Sequence, residues 1–224
     1  MPLIIGVTGS IATGKSSACA LMASEGAEHL DADRLVHRLY DPGKSAFDRI
    51  VGIFGEEIVG ADGYIDRKIL GSKVFGKPEE MNKLTTAIGN IAEAVKGVVD
   101  EWNITLGDND VAVLEAVNLI EAGYGQWCQS VWLFACDEDT ARRRLMQRNG
   151  FTMEEADQRL ASQRAWQDRE PASDRVFHND GDLDEFTDQV AAAYAETVRL
   201  ARDGRLPVSG YYDWWEQRAA QSNS

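Results

Sequence analysis

The sequence predicts an α/β protein in which helices cover both faces of a parallel sheet, and three observations support this prediction. Short apolar segments alternate along the chain with segments of helical periodicity, as in folds built from strand–helix–strand units. The segment 110–117 is apolar nearly throughout, which is typical of a central parallel strand. A glycine-rich turn connects the first apolar segment to the first helix. We therefore expect one three-layer domain over residues 1–206 and a C-terminal tail over 207–224.

The N-terminal elements follow from apolar runs and from the residues that end them. Residues 3–7 form the first predicted strand, and the helix after the glycine-rich turn is expected to end before Gly26. Residues 27–30 form a short second strand, and helical periodicity resumes over 34–40 until Asp41-Pro42-Gly43. The loops that follow parallel strands meet at one edge of the sheet, where ligands bind in such folds.

A helical insertion is expected at about residues 36–106, because this stretch contains no evident strand. Apolar residues between Asn82 and Trp102 recur at helical spacing, which indicates a helix with one buried face. Strands and helices alternate again afterwards. The later predicted strands cover 110–117, 130–135 and 175–178, and the later helices begin at about Asp137, at a Thr152–Glu155 capping box and at Leu183.

The glycine-rich turn, GVTGSIATGKSS over residues 6–17, contains the G-x-x-x-x-G-K-[ST] pattern that binds nucleotide phosphates. Its glycines let backbone N–H groups converge on an anion, and the following helix adds its own N-terminal N–H groups. Lys15 is expected to contact the outer phosphates and the Ser16 hydroxyl to hold Mg²⁺. The flanking strand and helix disfavour the alternative, a glycine-rich turn without a nucleotide. The predicted nucleotide contacts are Gly9, Ser10, Ile11, Ala12, Thr13, Gly14, Lys15, Ser16 and Ser17.

Carboxylates follow two of the predicted strands. Asp33 follows the second strand, and a carboxylate beside the terminal phosphate can accept the proton of an attacking hydroxyl. The alternative is that Asp33 is the N-cap of the helix over residues 34–40. Both roles can also be present, with Asp31 and Asp33 dividing them. Glu115 lies in the third strand segment, where an acid can hold Mg²⁺ through water, and its alternative is a contact with a helix N-terminus. Glu121 is a second candidate acid beyond the same strand.

Basic residues cluster in a predicted lid at about residues 142–165. Arg144 and Arg148 are four residues apart and therefore share one helix face. Guanidinium groups suit the charge that spreads over the equatorial oxygens of a transferring phosphoryl group, so we predict that both arginines are catalytic. The alternative is a solvent-exposed helix paired with nearby acids. The cluster also contains Arg159 and Arg164.

Composition disfavours two classes of partner. The chain of 224 residues carries a net charge of −14, which repels phosphate backbones, so nucleic acid is not an expected partner. No stretch approaches the roughly 18 consecutive apolar residues of a membrane span, and no signal peptide is evident. The expected ligands are therefore small molecules.

The cysteines and the aromatic tail have structural interpretations. The spacing of Cys19, Cys128 and Cys136 fits no zinc motif, and reduced, buried thiols favour a cytoplasmic location. The three histidines also lack metal-ligand spacing and are expected to be structural or at the surface. The aromatic segment 210–215 is expected to dock on the folded core.

Several segments of the chain, within about residues 3–200, resemble the dephospho-coenzyme A kinase family. The resemblance implies a P-loop kinase fold with a helical acceptor-binding region and a lid. It also implies Mg²⁺-dependent transfer of the ATP γ-phosphate to the ribose 3′-hydroxyl of dephospho-coenzyme A. The matching segments, in chain order, are GVTGSIATGKSS, LDADRLVHRLYDPG, IDRKILGSKVFGKPEE, LIEAG, RRRLMQRNGFTMEEADQRLASQ and SDRVFHNDG.

The same resemblance implies roles for individual residues. Asp33 would be the base on the acceptor hydroxyl, and Lys15 and Arg148 would stabilise the transferring phosphoryl group. Arg144 matches the preceding arginine of the lid helix, and Asn179 lies where the family approaches adenine. We expect a cytoplasmic monomer or weak homo-oligomer that uses ATP and Mg²⁺.

The chain departs from the family pattern mainly on the acceptor side. Gly89-Asn90 replaces a usual His-Pro, Val117-Asn118-Leu119-Ile120-Glu121 replaces Pro-Leu-Leu-x-Glu, and Ala141 replaces glutamine. In the phosphate loop, Ala12 stands where glycine is common. Two alternatives stay open: a P-loop kinase of another nucleoside or sugar hydroxyl, and an ATP-binding switch protein without transferase activity. A base at Asp33 disfavours the switch, which needs none.

Overall fold

The computed structural model describes residues 1–222 and contains a five-stranded sheet. Its strands run in the order β2-β3-β1-β4-β5, and every neighbouring pair is parallel. The structure therefore confirms the predicted parallel α/β class. The strands are β1 (Leu3–Gly9), β2 (Glu28–Asp31), β3 (Val111–Glu115), β4 (Ser130–Ala135) and β5 (Arg175–His178).

The strand order places β3 between β1 and β2. Glu115, the last residue of β3, pairs in register with Val7 of β1 and with Asp31 of β2. Every residue of β3 is buried, as the apolar character of this segment predicts for a central strand. The register brings Glu115 and Asp31 level with the end of β1, where the glycine-rich turn begins.

Helices connect the strands, and two of them cover one face of the sheet. The helix that follows β1 and the long helix that follows β5 pack together over Val7, Val113 and Phe134. The long helix buries Phe186 and Val190 at helical spacing, which gives it one apolar face. The α-helices of residues 1–222 are α1 (Lys15–Ser24), α2 (Ala32–Arg38), α3 (Ser45–Phe54), α4 (Arg67–Val74), α5 (Pro78–Ile88), α6 (Ile91–Thr105), α7 (Glu138–Asn149), α8 (Met153–Ala161), α9 (Leu183–Arg202) and α10 (Tyr211–Ser222).

The chain divides into two compact units. One comprises Met1–Asp31 together with the chain from Val99 onward, and it contains the whole sheet. The other, Ala32–Val98, is helical and has an apolar core of its own. That core is formed by Tyr40, Ala46, Ile50, Phe54, Ile58, Ile65, Leu70, Val74 and Ala87.

One helix predicted in this region is broken in the structure. The helix expected between Asn82 and Trp102 is broken into α5 and α6 at Gly89-Asn90. Gly89 has φ 103 and ψ −153, a conformation that residues with a side chain rarely adopt. The Asn90 side chain then accepts a hydrogen bond from the Glu93 N–H at 3.1 Å, as an N-cap does. The spacing of apolar residues did not reveal the break, because it is helical in both α5 and α6.

The segment predicted as a lid forms two capped helices. The Asp137 side chain accepts from the Thr140 N–H at 2.7 Å and caps α7, which ends at the left-handed Gly150. The predicted capping box is present, since Thr152 and Glu155 each bond to the other's backbone N–H at the start of α8.

The aromatic tail packs on the unit that contains the sheet, as predicted. Tyr211 is fully buried, and its hydroxyl donates to the Ile120 carbonyl at 2.9 Å. The Tyr212 hydroxyl donates to the Cys128 carbonyl at 3.1 Å. Burial raises the pKa of Tyr211, so the phenol keeps its proton and its role as a donor. No helix within residues 1–222 combines the length and apolar character needed to cross a membrane.

Candidate active site

The phosphate loop connects β1 to α1, and its backbone conformation explains its glycines. Gly9 has φ 147 and Gly14 has φ 95, values that favour glycine. A Cβ atom on Gly9 would lie 2.2 Å from the Phe134 carbonyl oxygen. A Cβ atom on Gly14 would lie 2.3 Å from the Asn179 amide nitrogen. Both positions therefore require glycine for space as well as for conformation.

Lys15 is held inside this loop. Its ammonium group donates to the carbonyl oxygens of Gly9 and Ser10 at 2.9 and 2.8 Å. The residue is only 8% exposed although it carries a charge. A buried cation is costly unless its donors find acceptors, which the curled loop supplies here. The positive charge is thus placed where the motif predicts a phosphate-binding group.

Arg144 and Asn179 reach the same loop from α7 and from the end of β5. The Arg144 guanidinium donates to the Ala12 carbonyl at 3.2 Å and to the Asn179 side-chain oxygen at 3.0 Å. The Asn179 amide donates to the Thr13 carbonyl at 3.1 Å. These bonds hold two carbonyls of the loop, so both side chains can orient the loop.

The other lid arginines have different surroundings. Arg148 is exposed, and its guanidinium donates to the neighbouring Asn149 at 3.2 Å. The Arg159 guanidinium lies 4.4 Å from the Phe151 ring centroid. The Arg164 carbonyl accepts from the Ser10 hydroxyl at 3.4 Å. The structure thus brings Arg144 to the phosphate loop, whereas Arg148 contacts none of its residues among the described contacts.

Glu115 lies on the opposite side of the loop, next to Ser16. The Ser16 hydroxyl donates to Glu115 at 3.2 Å, and a ring nitrogen of His29 lies 3.1 Å from the other carboxylate oxygen. Burial opposes ionisation of Glu115, but the His29 hydrogen bond and the nearby Lys15 charge outweigh it, so the pKa of Glu115 is below its usual value. A serine hydroxyl and an ionised carboxylate form an oxygen donor set that fits Mg²⁺.

His29 has a partner that its sequence position did not indicate. The prediction of a structural or surface role rested on the absence of any ligand spacing around it. The neighbouring strands β2 and β3 bring His29 to Glu115, although 86 residues separate them in the chain. Only the pairing of these two strands carries that information.

Asp33 is the second residue of α2, two residues after the end of β2. The helix begins at Ala32, so Asp33 lies inside the first turn and is not its N-cap. The alternative interpretation as an N-cap for residues 34–40 is therefore wrong. A carboxylate in the first turn still interacts favourably with the helix dipole.

Glu121 belongs to a buried ion pair. The Arg169 guanidinium donates to Glu121 at 2.8 Å, and Arg169 is only 2% exposed. Arg164 approaches the same carboxylate oxygen at 4.0 Å. The structure thus places Glu121 beside arginines, whereas Glu115 is the acid next to Ser16. Sequence patterns did not single out Arg169, because nothing in them distinguishes a buried arginine from an exposed one.

A cavity of about 710 Å³ opens between the phosphate loop and the lid helices α7 and α8. Its lining includes Ser10 and Thr13 of the loop and the rings of Trp166 and His178. Its volume is in the range of small-molecule sites, and two flat rings in its wall suit a planar base. The cavity can therefore hold the base and sugar of a nucleotide whose phosphates lie in the loop.

Comparison with known proteins relates the chain to one family. The family model for dephospho-CoA kinase matches residues 3–185 of the chain. The dephospho-CoA kinase of Symbiobacterium thermophilum is 36% identical over 208 residues, which are 92% of this chain and 85% of that protein.

Solved structures agree with the observed fold. TT1252 from Thermus thermophilus is similar with a TM-score of 0.69 and 29% identity, over 87% of this chain and 97% of that chain. The dephospho-CoA kinase from Campylobacter jejuni is similar with a TM-score of 0.59 and 23% identity, over 86% and 96% of the two chains. Both comparisons support the fold described above.

Proposed function

The chain belongs to the dephospho-CoA kinase family, and from this premise we propose how its own residues carry out the reaction. The protein is a kinase that uses ATP to phosphorylate dephospho-CoA in CoA biosynthesis. The observation that carries the proposed chemistry is the position of Lys15, whose buried ammonium lies inside an intact phosphate loop.

The phosphate loop binds the triphosphate of ATP. Backbone N–H groups of residues 9–16 and the N-terminus of α1 face the phosphate oxygens. The Lys15 ammonium exchanges its carbonyl acceptors for the outer phosphates, which carry more charge. Arg144 and Asn179 keep the loop in its binding conformation through their bonds to Ala12 and Thr13.

Ser16 and Glu115 would hold Mg²⁺, the serine through its hydroxyl and the glutamate through its ionised carboxylate. The hydrogen bond between them and the lowered pKa of Glu115 support this assignment. When bound, the ion neutralises charge on the phosphate oxygens. His29 orients the Glu115 carboxylate through its second oxygen.

Asp33 acts as the base on the acceptor, which is the ribose 3′-hydroxyl of dephospho-CoA. The hydroxyl proton moves to the Asp33 carboxylate while the hydroxyl oxygen bonds to the γ-phosphorus, and the bond from that phosphorus to ADP breaks. Arg148 shares a face of α7 with Arg144 and supplies charge to the equatorial oxygens when the lid closes. The helical region of about residues 36–106 binds the rest of the acceptor.

The charge and the free thiols of the protein indicate its partners and its location. The ligands are small molecules, since a net charge of −14 disfavours nucleic acid. Free thiols at Cys19, Cys128 and Cys136 suit a reducing cytoplasm. We assign a monomer or weak homo-oligomer.

An acceptor-dependent assay tests this function. Purified protein is incubated with ATP, Mg²⁺ and dephospho-CoA, and CoA and ADP are quantified together. We expect equimolar CoA and ADP, and phosphorus NMR of the product should locate the new phosphate on the 3′-oxygen. Product formation no greater than that of the Lys15→Ala variant would contradict the proposal.

An acceptor panel separates the remaining alternatives. Other nucleosides and sugars replace dephospho-CoA at the same concentration, because Gly89-Asn90 and the segment 117–121 depart from the family pattern. A faster reaction with another acceptor would change the substrate assignment and leave the kinase intact. ADP formation that does not depend on any acceptor would point to an ATP-driven switch.

A further inference from the structure

Three metal-binding side chains meet behind the phosphate loop. One ligand atom each of Cys19, His29 and Glu115 lies within 4.8 Å of the other two. The three residues come from α1, β2 and β3, so no sequence spacing connects them. Among the described residues, this is the one group of three or more histidine, cysteine and acidic side chains with this geometry.

The fold brings these side chains together for simple geometric reasons. Asp31 pairs in register with Glu115, so His29, two residues earlier on β2, points to the same face of the sheet as Glu115. Helix α1 covers that face and buries Cys19 against it. Ser16 precedes Cys19 by one helical turn, which places both side chains over Glu115.

The donor set is typical of a transition metal. A thiolate, an imidazole and a carboxylate bind Zn²⁺ at about 2.0–2.3 Å, which sets tetrahedral ligands about 3.3–3.8 Å apart. Ligand atoms within 4.8 Å therefore need to move by only about 1 Å to close on an ion. Mg²⁺ prefers oxygen ligands in an octahedron, so the sulfur and nitrogen atoms select against it.

The cluster can be reached by an ion from solvent, and it shares a carboxylate with Ser16. Cys19 is fully buried and Glu115 is 5% exposed, whereas the His29 side chain is 28% exposed and opens the site to solvent. The same Glu115 carboxylate accepts the hydrogen bond from Ser16 at 3.2 Å. An ion that binds Glu115 from the Cys19 side would therefore compete for the carboxylate that would hold Mg²⁺ with Ser16.

We propose that Cys19, His29 and Glu115 form an inhibitory Zn²⁺ site. The Cys19 thiol loses its proton to solvent on binding, and water completes the coordination. The bound ion takes Glu115 from the position in which it would hold Mg²⁺ with Ser16, and the kinase stops. The inhibition rests on the function proposed above for Glu115, whereas the binding does not.

Binding is tested with Co²⁺, which reports a thiolate ligand by its charge-transfer absorption and a tetrahedral site by its visible bands. The reduced full-length protein is titrated without nucleotide. We expect one Co²⁺ per chain with a thiolate band that Zn²⁺ abolishes. Cys19→Ala and His29→Asn should weaken Co²⁺ binding by about 10-fold or more. The matched control is Cys136→Ala, which removes the half-buried thiol outside the cluster and should retain the band.

The absence of a thiolate band, or a band that survives Cys19→Ala and disappears in Cys136→Ala, would overturn the site. Circular dichroism of each variant shows whether it is folded. If Cys19→Ala does not fold, the test rests on the His29→Asn variant. The His29 side chain is partly exposed, so its replacement removes no core packing.

Inhibition is tested by adding Zn²⁺ at fixed ATP, Mg²⁺ and dephospho-CoA, each variant being compared with its own rate without zinc. We expect Cys19→Ala to need about 10-fold or more Zn²⁺ for half-inhibition than the wild type. Equal zinc sensitivity in the two proteins would overturn the inhibitory role and attribute inhibition to another site or to the ATP–metal complex. A protein that binds Co²⁺ as expected but forms no CoA without zinc would instead contradict the proposed function.

Discussion

At the scale of single residues, the phosphate loop combines a functional requirement with a local cost. Ala12 is the only residue other than glycine with a positive φ, 65, among residues 1–222. This left-handed conformation costs a residue with a side chain about 1–2 kcal/mol. In this conformation the Ala12 carbonyl accepts a hydrogen bond from Arg144.

Ala12→Gly should therefore stabilise the protein. Glycine adopts positive φ without steric cost, and its greater freedom in the unfolded chain offsets part of the gain. We expect the free energy of unfolding, measured in urea, to rise by about 0.5–1 kcal/mol. The matched control is Ala192→Gly, an exposed position within α9, where the same change should lower the stability by about 0.5–1 kcal/mol. A loss of stability in Ala12→Gly would show that the loop does not strain this residue.

Asp33→Asn tests the assignment of the base. Asparagine keeps the shape of the side chain but accepts no proton, so kcat should fall by about 10²-fold or more while ATP binding is retained. Rates are measured at saturating ATP, and ATP affinity by calorimetry. Asp31→Asn is the matched comparison, because Asp31 ends β2 two residues earlier, and its effect should be much smaller. An unchanged rate in Asp33→Asn, or a larger loss in Asp31→Asn, would reassign the base.

At the scale of elements, the helices of the lid place two arginines in different environments. Arg144 and Arg148 share one face of α7, yet Arg144 bonds to the phosphate loop and Arg148 lies one turn further at the exposed end. We expect an arginine in such a position to contribute after the lid closes on ATP.

Arg148→Ala should therefore impair catalysis more than ATP binding. Loss of one charged donor to the transferring phosphoryl group should lower kcat by about 10²-fold, with a much smaller change in the affinity for ATP. Arg143→Ala, an exposed arginine on the same helix, serves as the control and should have little effect on either quantity. Equal losses of kcat and ATP affinity in Arg148→Ala would show that the residue contacts ATP only in the ground state.

At the scale of the whole molecule, several buried groups keep protons that the unfolded chain releases. Burial, together with the Asp174 charge, raises the pKa of Cys128, and burial raises that of Tyr211. A folded-state pKa above the unfolded value means that the native protein binds more protons at alkaline pH. The resulting stabilisation is complete below the unfolded pKa and is lost as the pH rises above it.

We expect the free energy of unfolding to fall above about pH 8.5, where unfolded thiols ionise, and more steeply above about pH 10, where unfolded tyrosines ionise. Each group adds a slope of up to about 1.4 kcal/mol per pH unit. Urea unfolding between pH 7 and pH 10 measures the slope. Cys128→Ala should show a shallower slope than the wild type, whatever its stability at pH 7. Identical slopes in the two proteins would exclude Cys128 as a source of the pH dependence.

Features that depend on local physics could be predicted from the amino-acid sequence. The phosphate loop needs glycines at fixed spacing, a central parallel strand must be apolar, and helix caps use residues such as Thr152 and Glu155 next to the helix they begin. Each of these constraints acts over a few neighbouring residues, so a single chain displays it. The family resemblance added the order of these pieces, and the comparisons confirmed the family itself.

Contacts between residues that are distant in the chain became visible only in the folded protein. Sheet order brought β3 between β1 and β2, and with it Glu115 to His29, Cys19 and Ser16. The burial of Arg169 against Glu121 and the contact of Arg144 with the loop depend equally on packing between elements. Such contacts leave no local pattern, because strand pairing and helix docking are set by the burial of whole apolar faces and not by the polar residues that those faces carry.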